Sequence, residues 1–172
     1  MGRKIVVTSG KGGVGKTTLT ASLGIAIAET GKKVVLVDAD IGLNNLDVVL
    51  AVENKVVYDV LDVISGKCRL KQALIQDVDN PTLYVLPSAK IQDSPLITAC
   101  SFRNVVDALA LNFDFVIIDC PAGIDNGFHR AVSAATALVG VGGEALGLVI
   151  NQLGMLKLPF AKCCRYCPGT VL

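Results

Sequence analysis

The chain has 172 residues, of which 52% are hydrophobic and 18% are charged. This length suffices for one domain with a sizeable core, and the composition excludes a disordered chain. The formal net charge is +1 and the sequence contains no block of basic residues. Bulk charge therefore gives no indication of nonspecific binding to nucleic acid or to an anionic membrane.

The first predicted elements are a strand, a loop and a helix. Residues 4–8 include the apolar run Ile5-Val6-Val7, which predicts a short strand buried on both faces. Residues 16–29 follow a helical pattern, and Gly31 is well placed to end that helix. A second buried strand over residues 33–38 completes a strand–helix–strand unit, which is typical of a parallel sheet.

A phosphate-binding motif lies between the first strand and the helix. The match to G-x-x-x-x-G-K-[ST] and the threonine after it comprise Gly10, Lys11, Gly12, Gly13, Val14, Gly15, Lys16, Thr17 and Thr18. Glycines let the backbone curl so that its N–H groups, together with the start of the helix, surround an anion. Lys16 would bring positive charge to phosphates, and the Thr17 hydroxyl could bind Mg²⁺. The alternative is a glycine-rich turn that happens to precede a helix.

Two carboxylates, Asp38 and Asp40, follow the second strand. The carboxyl ends of strands in an open α/β sheet are where ligands bind. One carboxylate could support the magnesium shell and the other could align an attacking water. The alternative is an Asp turn that caps the next helix.

Three more elements are predicted before the next polar motif. Residues 57–65, ended by Gly66, and residues 96–111 are predicted helices, and Leu83–Leu86 is a predicted strand. We interpret all three as core and packing surface.

A third carboxylate, Asp119, follows four apolar residues at 115–118. This is the Walker B pattern, in which a buried strand carries a carboxylate to the magnesium. The neighbouring Cys120 has no second cysteine in a context that would suggest an iron–sulfur site, so we interpret it as a small filler residue. His129, the only histidine, is expected to be exposed.

Three segments resemble the MinD/ParA/nitrogenase iron protein class, whose Walker A motif carries an extra lysine. They are the loop from Lys11 to Thr18, the segment at 38–47 and the segment at 119–123. By resemblance, Lys11 reaches the phosphates of a partner across a nucleotide-sandwich dimer, and Asp40 positions the water. By the same resemblance, Asp38 and Asp119 support magnesium, Gly123 senses the γ-phosphate, and Asn151 contacts the base.

The resemblance to MinD-type ATPases is nearly continuous from Arg3 to about residue 135. It implies an α/β fold of the P-loop NTPase type, a three-layer sandwich with a mostly parallel sheet, in an ATPase domain at 1–155. It also implies Mg-ATP as cofactor, an ATP-dependent homodimer, slow hydrolysis, and a switch role in division-site placement with MinC- and MinE-like partners. The implied location is the cytoplasm, or the stroma if the chain comes from a plastid lineage.

Three alternatives stay open beside this interpretation. The first is a ParA-type partitioning ATPase that acts on nucleoid DNA, although no specific nucleic acid is expected from the sparse basic residues. The second is a fragment that binds nucleotide or partners without turnover. The third is an iron–sulfur reductase.

The carboxyl-terminal part departs from the resemblance. The apolar runs at 137–141 and 145–150 are too close in sequence to be adjacent parallel strands. They form an antiparallel hairpin, or only one is a strand, or an internal segment has been lost, which could leave one edge of the sheet incomplete. The tail at 156–172 contains Pro159 and Pro168 and lacks the family's amphipathic helix, so membrane binding is expected to be lost.

The six cysteines divide into two groups. Cys68, Cys100 and Cys120 are scattered and are expected to be free thiols, since nucleotide chemistry implies a reducing compartment. The others, Cys163, Cys164 and Cys167, cluster in the tail, where a single C-x-x-C spacing is a weak indication of a metal. The sequence shows neither a signal peptide nor an apolar run long enough to span a membrane.

Overall fold

A computed structural model describes residues 1–43, 45–90, 94–123, 126–141 and 146–149. The strands are β1 (Arg3–Thr8), β2 (Val34–Asp38), β3 (Ile75–Gln76), β4 (Leu83–Leu86), β5 (Phe115–Asp119), β6 (Ala137–Val141) and β7 (Leu146–Val149). The helices are α1 (Lys16–Ala28), α2 (Asn45–Val49), α3 (Val60–Ile64), α4 (Leu70–Ala73), α5 (Ala99–Ala110) and α6 (Asn126–Ala134), with a 3₁₀ turn at Glu53–Lys55.

The strands form one sheet in the order β3-β4-β2-β5-β1-β6-β7. The five inner strands, from β4 to β6, are parallel, whereas β3 and β7 pair with their neighbours in the antiparallel direction. The predicted fold class, a mostly parallel α/β sheet, is confirmed.

The core lies in two layers, one on each face of the sheet. Residues of α1 and α2 pack on one face together with Val7 and Leu36, and residues of α5 and α6 pack on the other face together with Val6 and Val35. Successive strand residues therefore contact opposite layers, which explains why the inner strands are apolar at every position. The result is the predicted three-layer sandwich.

The β1–α1–β2 unit leaves room for another strand. β5 lies between β1 and β2 and pairs with both of them in parallel. Parallel strands end at the same edge of a sheet, so the segments that follow β1, β2 and β5 emerge side by side. Their registers place Asp119 beside Val7 of β1 on one side and beside Asp38 of β2 on the other.

Two predicted helices begin later than their apolar patterns indicate. α3 starts at Val60 and not at residue 57, because Asp59 accepts hydrogen bonds from the N–H groups of Leu61 and Asp62 as an N-cap. α5 starts at Ala99 and not at residue 96, because the Thr98 hydroxyl accepts from the N–H of Ser101. In both cases the capping side chain fixes the first turn more strongly than the apolar residues before it.

The pairing of the last two strands decides among the three alternatives for the apolar runs at 137–141 and 145–150. β7 pairs antiparallel with β6, so the two apolar runs form a hairpin. Three short elements, α2, α4 and β3, were not predicted from the sequence. Asn151 and the tail at 156–172 lie outside the described residues.

Candidate nucleotide-binding site

The glycine-rich loop has the backbone that the motif requires. Gly13 and Gly15 have φ angles of 72° and 87°, a region that favours glycine. A Cβ placed on Gly10, Gly13 or Gly15 would meet no atom of the described residues within 4 Å. A Cβ on Gly12 would lie 3.8 Å from the Cβ of Ala122, so the loop also borders the segment that follows β5.

Lys16 begins α1 and is largely buried. Its ammonium group donates to the Ser9 hydroxyl at 3.1 Å and to the Lys11 carbonyl at 3.4 Å. The Ser9 hydroxyl in turn donates to the same carbonyl at 2.6 Å. This network holds a positive charge inside the loop and fixes the backbone at Lys11. The Lys11 residue itself is exposed. Ser9 was not among the predicted site residues.

The start of α1 faces the loop without a side-chain cap. Gly15 occupies the N-cap position in the left-handed conformation and has no side chain to accept from the first N–H groups of the helix. These donors and the positive end of the helix dipole suit an anion. Thr17 and Thr18 lie in this first turn, where Thr18 is exposed and Thr17 is half-buried.

Asp119 ends β5 and is 1% exposed. The Thr20 hydroxyl donates to its carboxylate at 3.2 Å, and the Thr17 hydroxyl is near enough to lower the pKa of Asp119. Burial raises the pKa of Asp119 to about 6, against the lowering effects of the two threonine hydroxyls and of the Lys16 charge. The carboxylate is thus held in a fixed orientation at an energetic cost that a nearby cation would reduce.

Asp38 ends β2 and organises the segment after it. One of its carboxylate oxygens accepts from the Asp40 N–H at 2.9 Å, and the other accepts from the Leu46 N–H at 3.2 Å. Burial, together with the neighbouring carboxylates of Asp119 and Asp40, raises the pKa of Asp38 to about 7, against the lowering effect of these two hydrogen bonds. This geometry combines the two interpretations of the sequence, since Asp38 forms an Asp turn and also lies beside Asp119.

The oxygen donors at this edge fit a magnesium ion. Thr17, Asp38 and Asp119 supply the hydroxyl and carboxylate oxygens that Mg²⁺ prefers, and a divalent cation would offset the cost of burying two adjacent carboxylates. Among the described residues, no group of three or more His, Cys, Asp or Glu side chains could hold a metal ion. Mg²⁺ commonly keeps water and phosphate oxygens as ligands, so it does not need such a group.

The remaining predicted residues are placed as follows. Asp40 is partly exposed in the segment after β2, and Gly123 has a φ of 92° in the segment after β5. Cys120 is buried, and burial raises the pKa of its thiol to about 11, in keeping with a small filler residue. Cys68, Cys100 and Cys120 are free thiols, and His129 is exposed as predicted.

A family model described as AAA domain matches residues 2–148. The chain belongs to this AAA domain family. The septum site-determining protein MinD of Bacillus subtilis is 52% identical to it over 136 residues, which are 78% of this chain and 51% of that protein. The chain is therefore MinD-like, as predicted from the Lys11–Thr18 loop and the segments at 38–47 and 119–123.

Solved structures of related proteins share this fold. The MinC:MinD cell division protein complex of Aquifex aeolicus matches with a TM-score of 0.71 and 45% identity, covering 80% of this chain and 55% of that chain. MinD of Pyrococcus horikoshii in complex with Mg-ADP matches with a TM-score of 0.73 and 36% identity, covering 82% of this chain and 58% of that chain. The chain thus spans about half the length of the relatives that it matches.

Proposed function

We propose that this chain is the nucleotide-binding part of a MinD-like ATPase, which binds Mg-ATP and hydrolyses it. One observation carries the proposal: the glycine-rich loop, the buried Lys16 and the hydroxyl-held Asp119 converge at the carboxyl edge of the sheet. The similarity to a MinD that binds Mg-ADP supports the choice of ligand.

Each site residue has a proposed role. The loop from Gly10 to Thr18 would bind phosphates through its N–H groups, and Lys16 would stabilise their negative charge. Thr17, Asp119 and Asp38 would hold magnesium, partly through water, and magnesium would supply charge neutralisation at the phosphates. Asp40 would orient the attacking water, Gly123 would respond to the terminal phosphate, and Asn151 would contact the base.

The switch function is proposed on the same basis. The exposed Lys11, whose backbone is fixed through its carbonyl, would reach the phosphates bound by a second copy in an ATP-dependent homodimer. The partners would be MinC- and MinE-like proteins, and the similarity to a MinD in complex with MinC supports the first of them. The proposed role is division-site placement in the cytoplasm. Among the described residues, no helix has the length and apolar character needed to cross a bilayer.

The test is ATP turnover with Mg²⁺ on the purified full chain, with Lys16→Ala and Asp40→Ala variants. We expect Lys16→Ala to reduce kcat/KM by about 100-fold or more, because it removes a charge aimed at the phosphates. Asp40→Ala should lower kcat while nucleotide affinity stays near that of the wild type. Matched controls are Lys71→Ala and Asp79→Ala, which change exposed residues away from the site and should leave both parameters unchanged. Wild-type protein that neither binds nor hydrolyses ATP would overturn the proposal.

A second candidate is a chain that binds nucleotide without turnover. The observation that favours it is that the described contacts fix Lys16 and Asp119, which would bind nucleotide and magnesium, whereas Asp40, which would orient the water, is partly exposed. Equilibrium binding of ATP together with absent turnover would select this candidate. Lys11→Ala then gives an independent measurement, since it should abolish ATP-dependent dimerisation in sedimentation analysis while nucleotide binding to the monomer persists.

A further inference from the structure

The side chain of Thr20 has an unusual hydrogen-bond partner for a residue inside a helix. Thr20 lies in α1 and is 0% exposed. Threonine hydroxyl groups within helices commonly donate to a backbone carbonyl one turn earlier. The Thr20 hydroxyl instead donates to the Asp119 carboxylate at 3.2 Å, across 99 residues of sequence.

Thr17 and Thr20, the two threonines near Asp119, have different surroundings. Thr17 is half-buried in the turn that borders the glycine-rich loop, whereas Thr20 lies one turn further along α1 and is fully buried. The Thr17 hydroxyl has a proposed role as a magnesium ligand, so that role would engage its oxygen with the metal. The Thr20 hydroxyl is fully buried, and among the described residues its hydrogen-bond partner is Asp119.

We propose that Thr20 is a positioning residue, which orients the Asp119 carboxylate for magnesium and so couples helix α1 to the metal site. This inference rests on the proposed Mg-nucleotide function. A carboxylate that binds a metal needs a partner that fixes its orientation, and loss of such a partner typically weakens metal affinity by about 10- to 100-fold. Thr20 supplies that partner from the same helix whose first turn contacts the phosphate loop.

The experiment measures ADP affinity by equilibrium binding of a fluorescent ADP analogue, first in MgCl₂ and then in EDTA. Thr20→Val keeps the shape of the side chain and removes the hydroxyl, and Thr20→Ser keeps the hydroxyl. We expect Thr20→Val to raise the Mg²⁺ concentration needed for half-maximal enhancement of ADP binding by about 10-fold or more. Affinity in EDTA should stay within about twofold of the wild type, and Thr20→Ser should behave like the wild type.

A merely structural role would give a different pattern. Thr20→Val would then weaken ADP binding equally in MgCl₂ and in EDTA and would lower the thermal midpoint of the ligand-free chain. That pattern, or an unchanged Mg²⁺ requirement, overturns the inference. If Thr20→Val fails to fold, Thr20→Cys retains the volume with a weaker donor and should show a raised Mg²⁺ requirement; an unchanged one is equally decisive against the inference.

The outcomes also separate this inference from the proposed function. Wild-type protein whose ADP affinity is independent of Mg²⁺ would overturn both of them. Mg²⁺-dependent binding by the wild type with an identical Thr20→Val variant would overturn only the role of Thr20. A double variant with Asp119→Asn should show no further effect of Thr20→Val on the Mg²⁺ requirement, because Thr20 acts through Asp119.

Discussion

Strand β2 buries an apolar side chain, Leu36, and an ionisable one, Asp38, within five residues. Leu36 and Asp38 are 0% and 1% exposed, so solvent access does not distinguish them. Burying Leu36 removes apolar surface from water, which stabilises the fold. Burying Asp38 removes an ionisable group from water, and its raised pKa shows that the charged form is disfavoured there.

The same contrast holds along β5, between Ile117 and Asp119. The interior of the sheet therefore stabilises the fold, whereas its carboxyl edge retains groups that oppose folding in the ligand-free protein. Hydrogen bonds from backbone N–H groups and from threonine hydroxyls offset part of that cost. Stability alone would not retain these carboxylates. Their presence therefore points to ligand binding.

Truncating the apolar interior should produce the largest loss of stability. Leu36 also fills the space beside Gly24 of α1, where a Cβ would approach its Cδ2 to 2.5 Å. Leu36→Ala should lower the free energy of unfolding by about 3–5 kcal/mol, from lost burial and the cavity left behind. Urea denaturation gives this value. Leu43→Ala is the matched control, since Leu43 is 61% exposed and its truncation should change stability by less than about 0.5 kcal/mol. Equal losses in the two variants would contradict the assigned core.

Raising the pH should destabilise the ligand-free protein through the two buried carboxylates at the carboxyl edge of the sheet. The pKa values of Asp38 and Asp119 are raised from 3.8 to about 7 and about 6, so the folded protein holds protons that the unfolded chain has released. Ligand-free stability should therefore fall as pH rises from about 4 to about 7.

Urea denaturation at pH 5 and pH 8 without nucleotide or Mg²⁺ measures this trend. Asp119→Asn should reduce the difference, since a neutral amide does not titrate, and should make the ligand-free protein more stable than the wild type at pH 8. Stability that rises with pH across this window would show that the two carboxylates are stabilised as anions in the folded protein.

A charge pair at the opposite edge of the sheet should matter least. Lys4 of β1 contacts Asp107 of α5 at 2.6 Å, and the Asp107 side chain is 37% exposed. Lys4→Met should lower the free energy of unfolding by at most about 1 kcal/mol, because water partly solvates Asp107 and methionine retains the apolar stem of the Lys4 side chain, which is 13% exposed. The effect should shrink in 1 M NaCl. A loss of unfolding free energy as large as that of Leu36→Ala would contradict this prediction, because it would show that the Lys4–Asp107 pair stabilises the fold as much as a core residue does.

The sequence predicted the parts of the site that are set locally. The glycine-rich loop, Lys16, and the acids Asp38 and Asp119 each follow from a short motif at the end of an apolar strand. The apolar strands likewise indicated a parallel sheet, because burial on both faces requires apolar residues at every position.

Contacts between segments that are distant in sequence could not be predicted from those local patterns. Ser9 and Thr20 were missed, since the bond from Thr20 depends on how α1 packs against β5 and a threonine inside a helix is otherwise unremarkable in sequence. The position of β5 between β1 and β2 was likewise not visible in any one segment. The β6–β7 hairpin remained one of three alternatives because two short apolar runs do not specify the direction of pairing.

The pairing of β1 has a consequence for biosynthesis. The Lys4 carbonyl accepts from the Thr136 N–H, and these two residues are separated by 132 positions. At a translation rate of about 5–20 residues per second, roughly 7–26 s pass between their synthesis. During that interval the Ile5-Val6-Val7 run of the nascent chain lacks the strand that pairs with it on that side.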